Sequence, residues 1–337
     1  MLIRLAAALM VMETHSHILA GKEKDPYFQQ HFHFSFLGLP SFFFLSGLLV
    51  TQSLYTSSSW KNFLWKRFLR LYPAACLSIL AAALIMGPCV TAFGIKDYFS
   101  SPLLYQYLQT CSLIRIHFLL PGVFNHSALG TDSINSSLWT ISMEIKLYIG
   151  LLAAWLVKIP GKRKILLALI ATLIAISCFL TKYGIENING MEWMEWIYPK
   201  LLPYLTYGVL FLAGVLCNLY KDRIIIRGYW IILLPLTFIA SFWLGIFFFT
   251  SYILIPALVI FAAIHGSAYL KKITPKADLS YGIYVFAFPV QQLVANYLHP
   301  AGPFRLFLYS VAAVLPLAIL SWYGVEKRSM ALKQRIP

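Results

Sequence analysis

The sequence predicts an all-α membrane protein with about ten transmembrane helices, and three observations support this fold class. Of the 337 residues, 60% are hydrophobic and only 12% are charged, and the mean hydropathy is +0.73. A soluble domain carries about 25% charged residues. Apolar blocks of about 20 residues recur along the chain, and a helix of that length crosses the hydrocarbon core of a bilayer. No repeat or soluble domain interrupts these blocks, so residues 1–337 are predicted to form one domain.

The apolar blocks define ten predicted spans, which are separated mostly by short polar loops. They lie near residues 2–20, 33–55, 73–93, 137–157, 165–183, 200–219, 228–246, 248–267, 278–298 and 304–325. The longest segment that is not predicted to span the membrane, 94–136, separates the third span from the fourth.

The distribution of basic residues predicts the orientation of these spans. Most of the 27 lysines and arginines lie in the loops that follow even-numbered spans or in the C-terminal tail. The positive-inside rule therefore places both the N- and the C-terminus in the cytoplasm. Topology and contact with membrane lipids account for the formal net charge of +15, so we do not expect nucleic-acid binding.

The first span contains the stretch RLAAALMVMETHSHI, residues 4–18, which has ionisable side chains near both ends. Arg4 and His15 are eleven residues apart, which separates them by ~16 Å along a helix. In the predicted orientation, Arg4 lies near the cytoplasmic surface and His15 lies in the outer half of the membrane. Ionisable groups inside spans are costly and mark functional sites. The alternatives are an arginine that anchors the helix at the lipid headgroups and a histidine that packs at the interface.

The fourth span opens with SLWTISMEIKLYI, residues 137–149. Counted from the outer end of this span, Glu144 lies ~10 Å below the surface, at a depth similar to that of His15. We therefore expect Glu144 to orient His15 as a general base, with a purely structural hydrogen bond of Glu144 as the alternative. Tyr148 is four residues further on and shares a helix face with Glu144. Lys146 points elsewhere and needs a partner that the sequence does not identify.

Residues 57–72 are predicted to form an amphipathic helix at the cytoplasmic surface. Arg67 and Arg70 are three residues apart, so both project to one side and can bind a phosphate through charge-assisted hydrogen bonds. Contact with lipid headgroups is the alternative interpretation of these two arginines.

Two further features concern helix packing and metal binding. Ser46 and Gly47 are a small pair in the second span, at which another helix is expected to approach closely. The five cysteines are scattered without CxxC spacing, and His31 and His33 lack a third ligand, so no metal site is predicted.

Six motifs, in order between residues 2 and 328, resemble those of the acyltransferase-3 family of bacterial integral membrane acyltransferases. The family's Arg-x-x-Ala-Ala, with a His eleven residues after the Arg, matches Arg4, Ala7, Ala8 and His15. Its Arg-x-x-Arg followed by an aromatic-Pro pair matches Arg67, Arg70, Tyr72 and Pro73. The other four are the aromatic run before Ser-Gly at 42–47, the block of Trp139, Thr140, Ser142, Glu144 and Tyr148, the Ser-Tyr-x-x-Tyr segment within 279–292 and the closing SWYGVEK at 321–327. The chain departs from the family pattern at Leu48, where Phe is usual, and at Ala287, where many members carry His.

This resemblance implies an O-acyltransferase of the bacterial cytoplasmic (inner) membrane that holds no permanently bound cofactor. The donor it implies is cytoplasmic acetyl-CoA or another acyl-CoA, and the acceptor is a sugar hydroxyl of a lipid-linked glycan or surface polysaccharide. It also implies that Arg4, Arg67 and Arg70 bind the acyl-CoA and that His15 is catalytic. With these we group Glu144 as a catalytic residue and Ser46, Trp139 and Tyr148 as supporting residues.

Two other functions are compatible with parts of this pattern. A flippase or transporter of glycan lipids would also have many spans, intramembrane His and Glu residues and basic cytoplasmic loops. It would not require the eleven-residue spacing from Arg4 to His15, and the chain shows no corresponding pair of broken spans in its two halves. A membrane acyltransferase that acts on lipid or protein hydroxyls is the nearer alternative.

Overall fold

The computed structural model describes residues 1–20, 34–124, 132–159, 163–184, 201–223, 228–265 and 277–334. Within these ranges all the regular secondary structure is helical, which confirms the predicted fold class. The helices are α1 (Leu2–Leu19), α2 (Ser35–Tyr55), α3 (Trp60–Ala81), α4 (Gly87–Val90), α5 (Ile95–Ser100), α6 (Pro102–Leu108), α7 (Leu138–Leu156), α8 (Arg163–Lys182), α9 (Leu201–Leu219), α10 (Trp230–Trp243), α11 (Phe247–His265), α12 (Ser280–Leu298), α13 (Pro303–Ser321) and α14 (Lys327–Ala331).

Ten of these helices lie at the ten predicted positions along the chain. Eight helices in the described ranges are long and apolar enough to cross a membrane, so the protein is a multi-pass membrane protein. The other two predicted spans correspond to α10, which has only 14 residues, and to α12, which carries Gln291, Gln292 and Asn296 among its apolar residues.

The amphipathic segment does not form a separate surface helix. The Ser59 hydroxyl accepts the backbone N–H of Asn62 at 3.2 Å and caps α3, which continues past Pro73 and through a π-helical turn into α4. The result is one helical stretch of 31 residues, Trp60–Val90, which is about 46 Å long. Protein packing explains the difference, because Phe63 is fully buried and Arg70 contacts Met330 of α14.

The segment between the third and fourth predicted spans folds back into the helical unit. Tyr98 and Tyr107 are fully buried there, and the Tyr98 hydroxyl donates a hydrogen bond to the carbonyl of Ala83 at 2.7 Å. Asn135, just before α7, donates to the carbonyl of Val285 within α12 at 2.9 Å. Irregular backbone is tolerated inside a helical membrane protein where protein groups satisfy its hydrogen bonds. As a consequence, α7 begins beside the interior of α12.

Helices α2 and α9 approach each other closely at two glycines. A Cβ atom on Gly47 would lie 1.9 Å from the carbonyl oxygen of Phe211, and one on Gly214 would lie 2.1 Å from that of Phe44. Both distances are far below a van der Waals contact, so only glycine fits at either position. The expectation that Gly47 marks a close helix approach is therefore confirmed.

Candidate active site

A cavity of about 350 Å³ lies among α1, α2, α3, α7, α12 and the C-terminal turn. Four cationic and two acidic side chains line it, and its polar lining also includes Ser46 and three tyrosines. These residues are Arg4, Arg67, Arg70, Lys333, Glu144, Asp278, Ser46, Tyr148, Tyr281 and Tyr284. The structure thus brings six of the eight predicted site residues to one cavity, and His15 and Trp139 do not line it.

One carboxylate holds two of the arginines. Asp278 Oδ2 lies 2.7 Å from Arg70 Nη2 and 3.8 Å from Arg4 Nη1, and Asp278 Oδ1 accepts the Ser280 hydroxyl at 2.6 Å. Burial raises the pKa of the Asp278 carboxyl, but Arg70, Ser280 and Arg4 together lower it below its ordinary value. Asp278 is therefore ionised at neutral pH and is the common counter-ion of both arginines.

Arg70 also faces the carboxylate of Glu326, in the π-helical turn that follows α13. Glu326 is only 2% exposed, and its Oε2 lies 3.9 Å from Arg70 Nη1. The Ser321 hydroxyl donates to Glu326 Oε1 at 3.0 Å. The two carboxylates thus hold Arg70 between α12 and the π-helical turn Trp322–Glu326.

Arg67 and Lys333 line the same cavity but form no ion pair within the described ranges. Arg67 Nη2 donates to the Ser53 hydroxyl at 3.1 Å, and Arg67 Nε is buried without a hydrogen-bond partner. Burial, followed by the charges of Arg67, Arg70, Lys66 and Arg4, lowers the pKa of Lys333 to about 8. Within the described ranges, these two cations thus have no carboxylate at ion-pair distance.

Glu144 is held by two hydroxyl groups. Its Oε1 accepts the Ser46 hydroxyl at 2.5 Å and also accepts the Tyr148 hydroxyl, and Ser46 Oγ and Tyr148 OH are 2.9 Å apart. The prediction that Glu144 and Tyr148 share a helix face is confirmed. The three oxygens form a compact polar cluster at the wall of the cavity.

Among the described residues, Glu144 and His15 form neither a hydrogen bond nor an ion pair with each other, so the expected contact is not observed. His15 packs edge-on against Phe288 of α12, with ring centroids 4.9 Å apart, and its Nδ1 is buried without a hydrogen-bond partner. The carboxylate partner expected for a histidine appears instead at His17, whose Nε2 lies 2.8 Å from Glu13 Oε1.

The position at which α7 begins within the helical unit explains this correction. The backbone N–H of Ser35 donates to the Thr14 hydroxyl at 2.9 Å, so His15 lies beside the start of α2. Ser46 is eleven residues further along α2, ~16 Å away, and shares the cavity with Arg4. Because the segment before α7 packs against α12, Glu144 meets Ser46 at the level of Arg4 rather than at the level of His15.

Trp139 and Lys146 occupy positions behind the cavity wall. The Trp139 ring lies 5.9 Å from that of Tyr207, which stacks at 5.0 Å on Phe43 of the cavity lining. Lys146 donates to the Tyr204 hydroxyl at 3.3 Å and lies 5.5 Å from the centre of its ring. These contacts identify a partner for Lys146 that the sequence did not indicate. His31 and His33 lie outside the described residues.

Sequence reasoning missed Asp278, Lys333 and the arrangement of the two α12 tyrosines. Tyr281 donates to the carbonyl of Leu71 at 2.7 Å, and Tyr284 shares a 2.6 Å hydrogen bond with Thr140. The signal for Asp278 was a carboxylate directly before the Ser-Tyr-x-x-Tyr segment, in a chain with only 12 acidic residues. No local signal distinguished Lys333 from the other basic residues of the tail.

Comparison with known proteins places the chain in a family. An acyltransferase-domain family model of the acyltransferase-3 type matches residues 2–323. An O-acetyl transferase of Shigella phage Sf6 is 31% identical over 332 residues, which cover 96% of this chain and 93% of that protein. Nodulation protein 10 of Rhizobium leguminosarum bv. viciae is 27% identical over 355 residues, which cover 98% of this chain and 93% of that protein. No solved structure matches. Nearly the whole chain is matched, and six of the eight predicted site residues meet in one cavity of a multi-pass helical unit, so the chain belongs to the acyltransferase-3 family.

Proposed function

We propose that this protein is an O-acetyltransferase of the bacterial inner membrane. It transfers an acetyl group from cytoplasmic acetyl-CoA to a sugar hydroxyl of a lipid-linked glycan or surface polysaccharide. Membership of the acyltransferase family supports the reaction class, and the name of the phage relative, O-acetyl transferase, supports acetyl as the group transferred. The saccharide acceptor is taken from the resemblance of the six sequence motifs to those of the family.

The observation that carries the proposal is the cavity lined by four cationic side chains. Arg4, Arg67, Arg70 and Lys333 converge on a space of about 350 Å³. Guanidinium groups bind phosphates through paired charge-assisted hydrogen bonds, and CoA carries a pyrophosphate and a 3′-phosphate. The cavity therefore has the charge that a CoA donor requires.

In the proposed mechanism, the two ends of α1 have different roles. Arg4 binds donor phosphates at the cytoplasmic end, and the extended pantetheine arm carries the thioester towards His15, ~16 Å further along the helix. His15 accepts the proton of the acceptor hydroxyl as that oxygen attacks the thioester carbonyl. The carbon–sulfur bond then breaks, and His15 returns the proton to the sulfur, so that CoA leaves as the thiol. General-base assistance of this kind contributes ~10²–10⁴-fold to the rate. In this scheme Glu144, bound to Ser46 and Tyr148, belongs to the donor cavity and does not orient His15.

Nuclear magnetic resonance of the surface glycan, with and without mild base, tests the function in wild-type and deletion cells. We expect a base-labile acetyl signal in wild-type cells that disappears on deletion, and the lost signal identifies the acceptor sugar. An unchanged acetyl pattern together with accumulation of the lipid-linked precursor inside the cell would instead show a flippase.

The role of His15 is tested by His15→Ala in the deletion background. We expect normal membrane insertion and loss of the acetyl signal. His265→Ala, which removes an exposed histidine at the end of α11, is the matched control and retains acetylation. Full acetylation by correctly inserted His15→Ala would show that His15 is not catalytic.

A further inference from the structure

The cations of the cavity fall into two groups that differ in charge compensation. Arg4 and Arg70 share the carboxylate of Asp278, and Arg70 also faces Glu326. Arg67 and Lys333 have no such carboxylate among the described residues, although both line the cavity. Arg4 and Arg70 thus form a group paired with carboxylates. Arg67 and Lys333 form a second group, called uncompensated here, that has no carboxylate within ion-pair distance in the described ranges.

The uncompensated group has hydrogen-bond donors to offer a ligand. Arg67 uses one amino group on Ser53, and its buried Nε has no partner in the part of the chain that the structure describes. A buried donor without an acceptor costs free energy, which a bound acceptor recovers. The preceding residue, Lys66, donates to the Ser57 hydroxyl at 3.1 Å and does not line the cavity.

The two groups are adjacent, and their order along α3 is defined. Arg67 precedes Arg70 by three residues, so their Cβ atoms are about 5–6 Å apart on one helix face. Lys333 follows α14 in the C-terminal turn and lines the same cavity as Arg67 and Arg70. A ligand with two neighbouring anionic groups therefore matches this pair of sites.

We propose that Arg67 and Lys333 form a subsite for the 3′-phosphate of the donor, and that Arg4 and Arg70 bind its pyrophosphate. This inference rests on the proposed function, because it takes CoA as the donor. A phosphate monoester carries a charge between about −1.5 and −2 at neutral pH, and it therefore matches the cations that have no counter-ion. Each phosphoryl group of the pyrophosphate carries one negative charge and therefore matches the arginines that Asp278 partly neutralises. Lys333 is then a specificity-determining residue that distinguishes CoA from CoA lacking the 3′-phosphate.

Binding of CoA and of 3′-dephospho-CoA to the purified full-length protein tests this assignment without the acceptor. We expect the wild-type protein to bind CoA about 10–100-fold more tightly than 3′-dephospho-CoA, the range of one or two charge-assisted bonds. Lys333→Gln should lose most of this preference while its affinity for 3′-dephospho-CoA stays unchanged. Lys333→Arg should retain the preference, because it keeps the charge. Arg328→Gln, an exposed arginine outside the cavity, is the control and should behave as wild type.

Two outcomes would overturn the subsite. One is equal affinity of the wild-type protein for the two ligands. The other is a Lys333→Gln variant that binds both ligands more weakly by the same factor, which is the result of general loss of positive charge or structure. If neither ligand binds to the wild-type protein, the CoA donor of the proposed function is wrong, and the subsite is wrong with it.

Discussion

Arg70 of α3 and Asp278 at the start of α12 are 208 residues apart in sequence, yet their side chains meet at 2.7 Å. The same carboxylate oxygen lies 3.8 Å from Arg4 of α1. One acidic residue therefore connects three helices at the base of the cavity, and it occupies the arginines that we assign to the donor pyrophosphate.

Replacement of this carboxylate tests whether it competes with the donor. If donor phosphates must displace Asp278, Asp278→Asn leaves Arg4 and Arg70 available and tightens CoA binding by about tenfold, or 1.4 kcal/mol. Titration of purified protein with CoA measures this change. Asp97→Asn, in the exposed helix α5, is the matched control. Weaker binding by Asp278→Asn would mean that Asp278 orients the arginines for the donor.

Removal of the two α3 arginines tests the donor site as a whole. Arg67→Ala combined with Arg70→Ala removes two charge-assisted contacts, each of about 1.5–3 kcal/mol, so acyl-CoA affinity should fall by at least a hundredfold. Lys221→Ala with Arg223→Ala removes the same number of charges from an exposed turn and should leave acyl-CoA affinity unchanged. An unchanged affinity in the α3 variant would exclude the phosphate clamp.

The pH dependence of donor binding follows from Lys333. The lowered pKa of about 8 means that Lys333 is charged below pH 8 and becomes neutral as the pH rises above it. CoA affinity should therefore decrease between pH 7 and pH 9, whereas Lys333→Arg, which stays charged, should show a flatter profile. Equal profiles for the wild-type protein and the Lys333→Arg variant would assign the dependence to another group.

The contact between α2 and α9 predicts that alanine substitution has different effects at two glycines. Gly47→Ala places a methyl group 1.9 Å from the Phe211 carbonyl, so the helices must separate. We expect a loss of about 1–3 kcal/mol in stability, together with reduced acetylation because Ser46 and Glu144 move apart. Gly208→Ala, on α9 with open space around its Cβ, should have little effect on either property. Thermal unfolding in detergent provides the comparison, and similar behaviour of the two variants would contradict the packing argument.

The local sequence predicted those features that depend on the chain within one helix. Ten apolar blocks correspond to ten helices, because the length needed to cross a bilayer is a property of each block alone. The spacing of Arg67 and Arg70, and that of Glu144 and Tyr148, placed each pair on one face because both follow from the helical repeat. The small residues Ser46 and Gly47 likewise indicated a close helix contact before the partner helix was known.

The relative depth of residues on different helices was decided only by tertiary structure. Counting from the membrane surface placed Glu144 beside His15, but the segment before α7 is buried and moves Glu144 to Ser46, at the level of Arg4. Asp278 and Lys333 join the arginines in the same way, from distant parts of the chain. A helix determines distances along its own axis, whereas its offset against a neighbour is set by packing and by hydrogen bonds such as that from Asn135 to Val285. The sequence alone therefore determined the helices and their faces, and packing determined which of those faces meet.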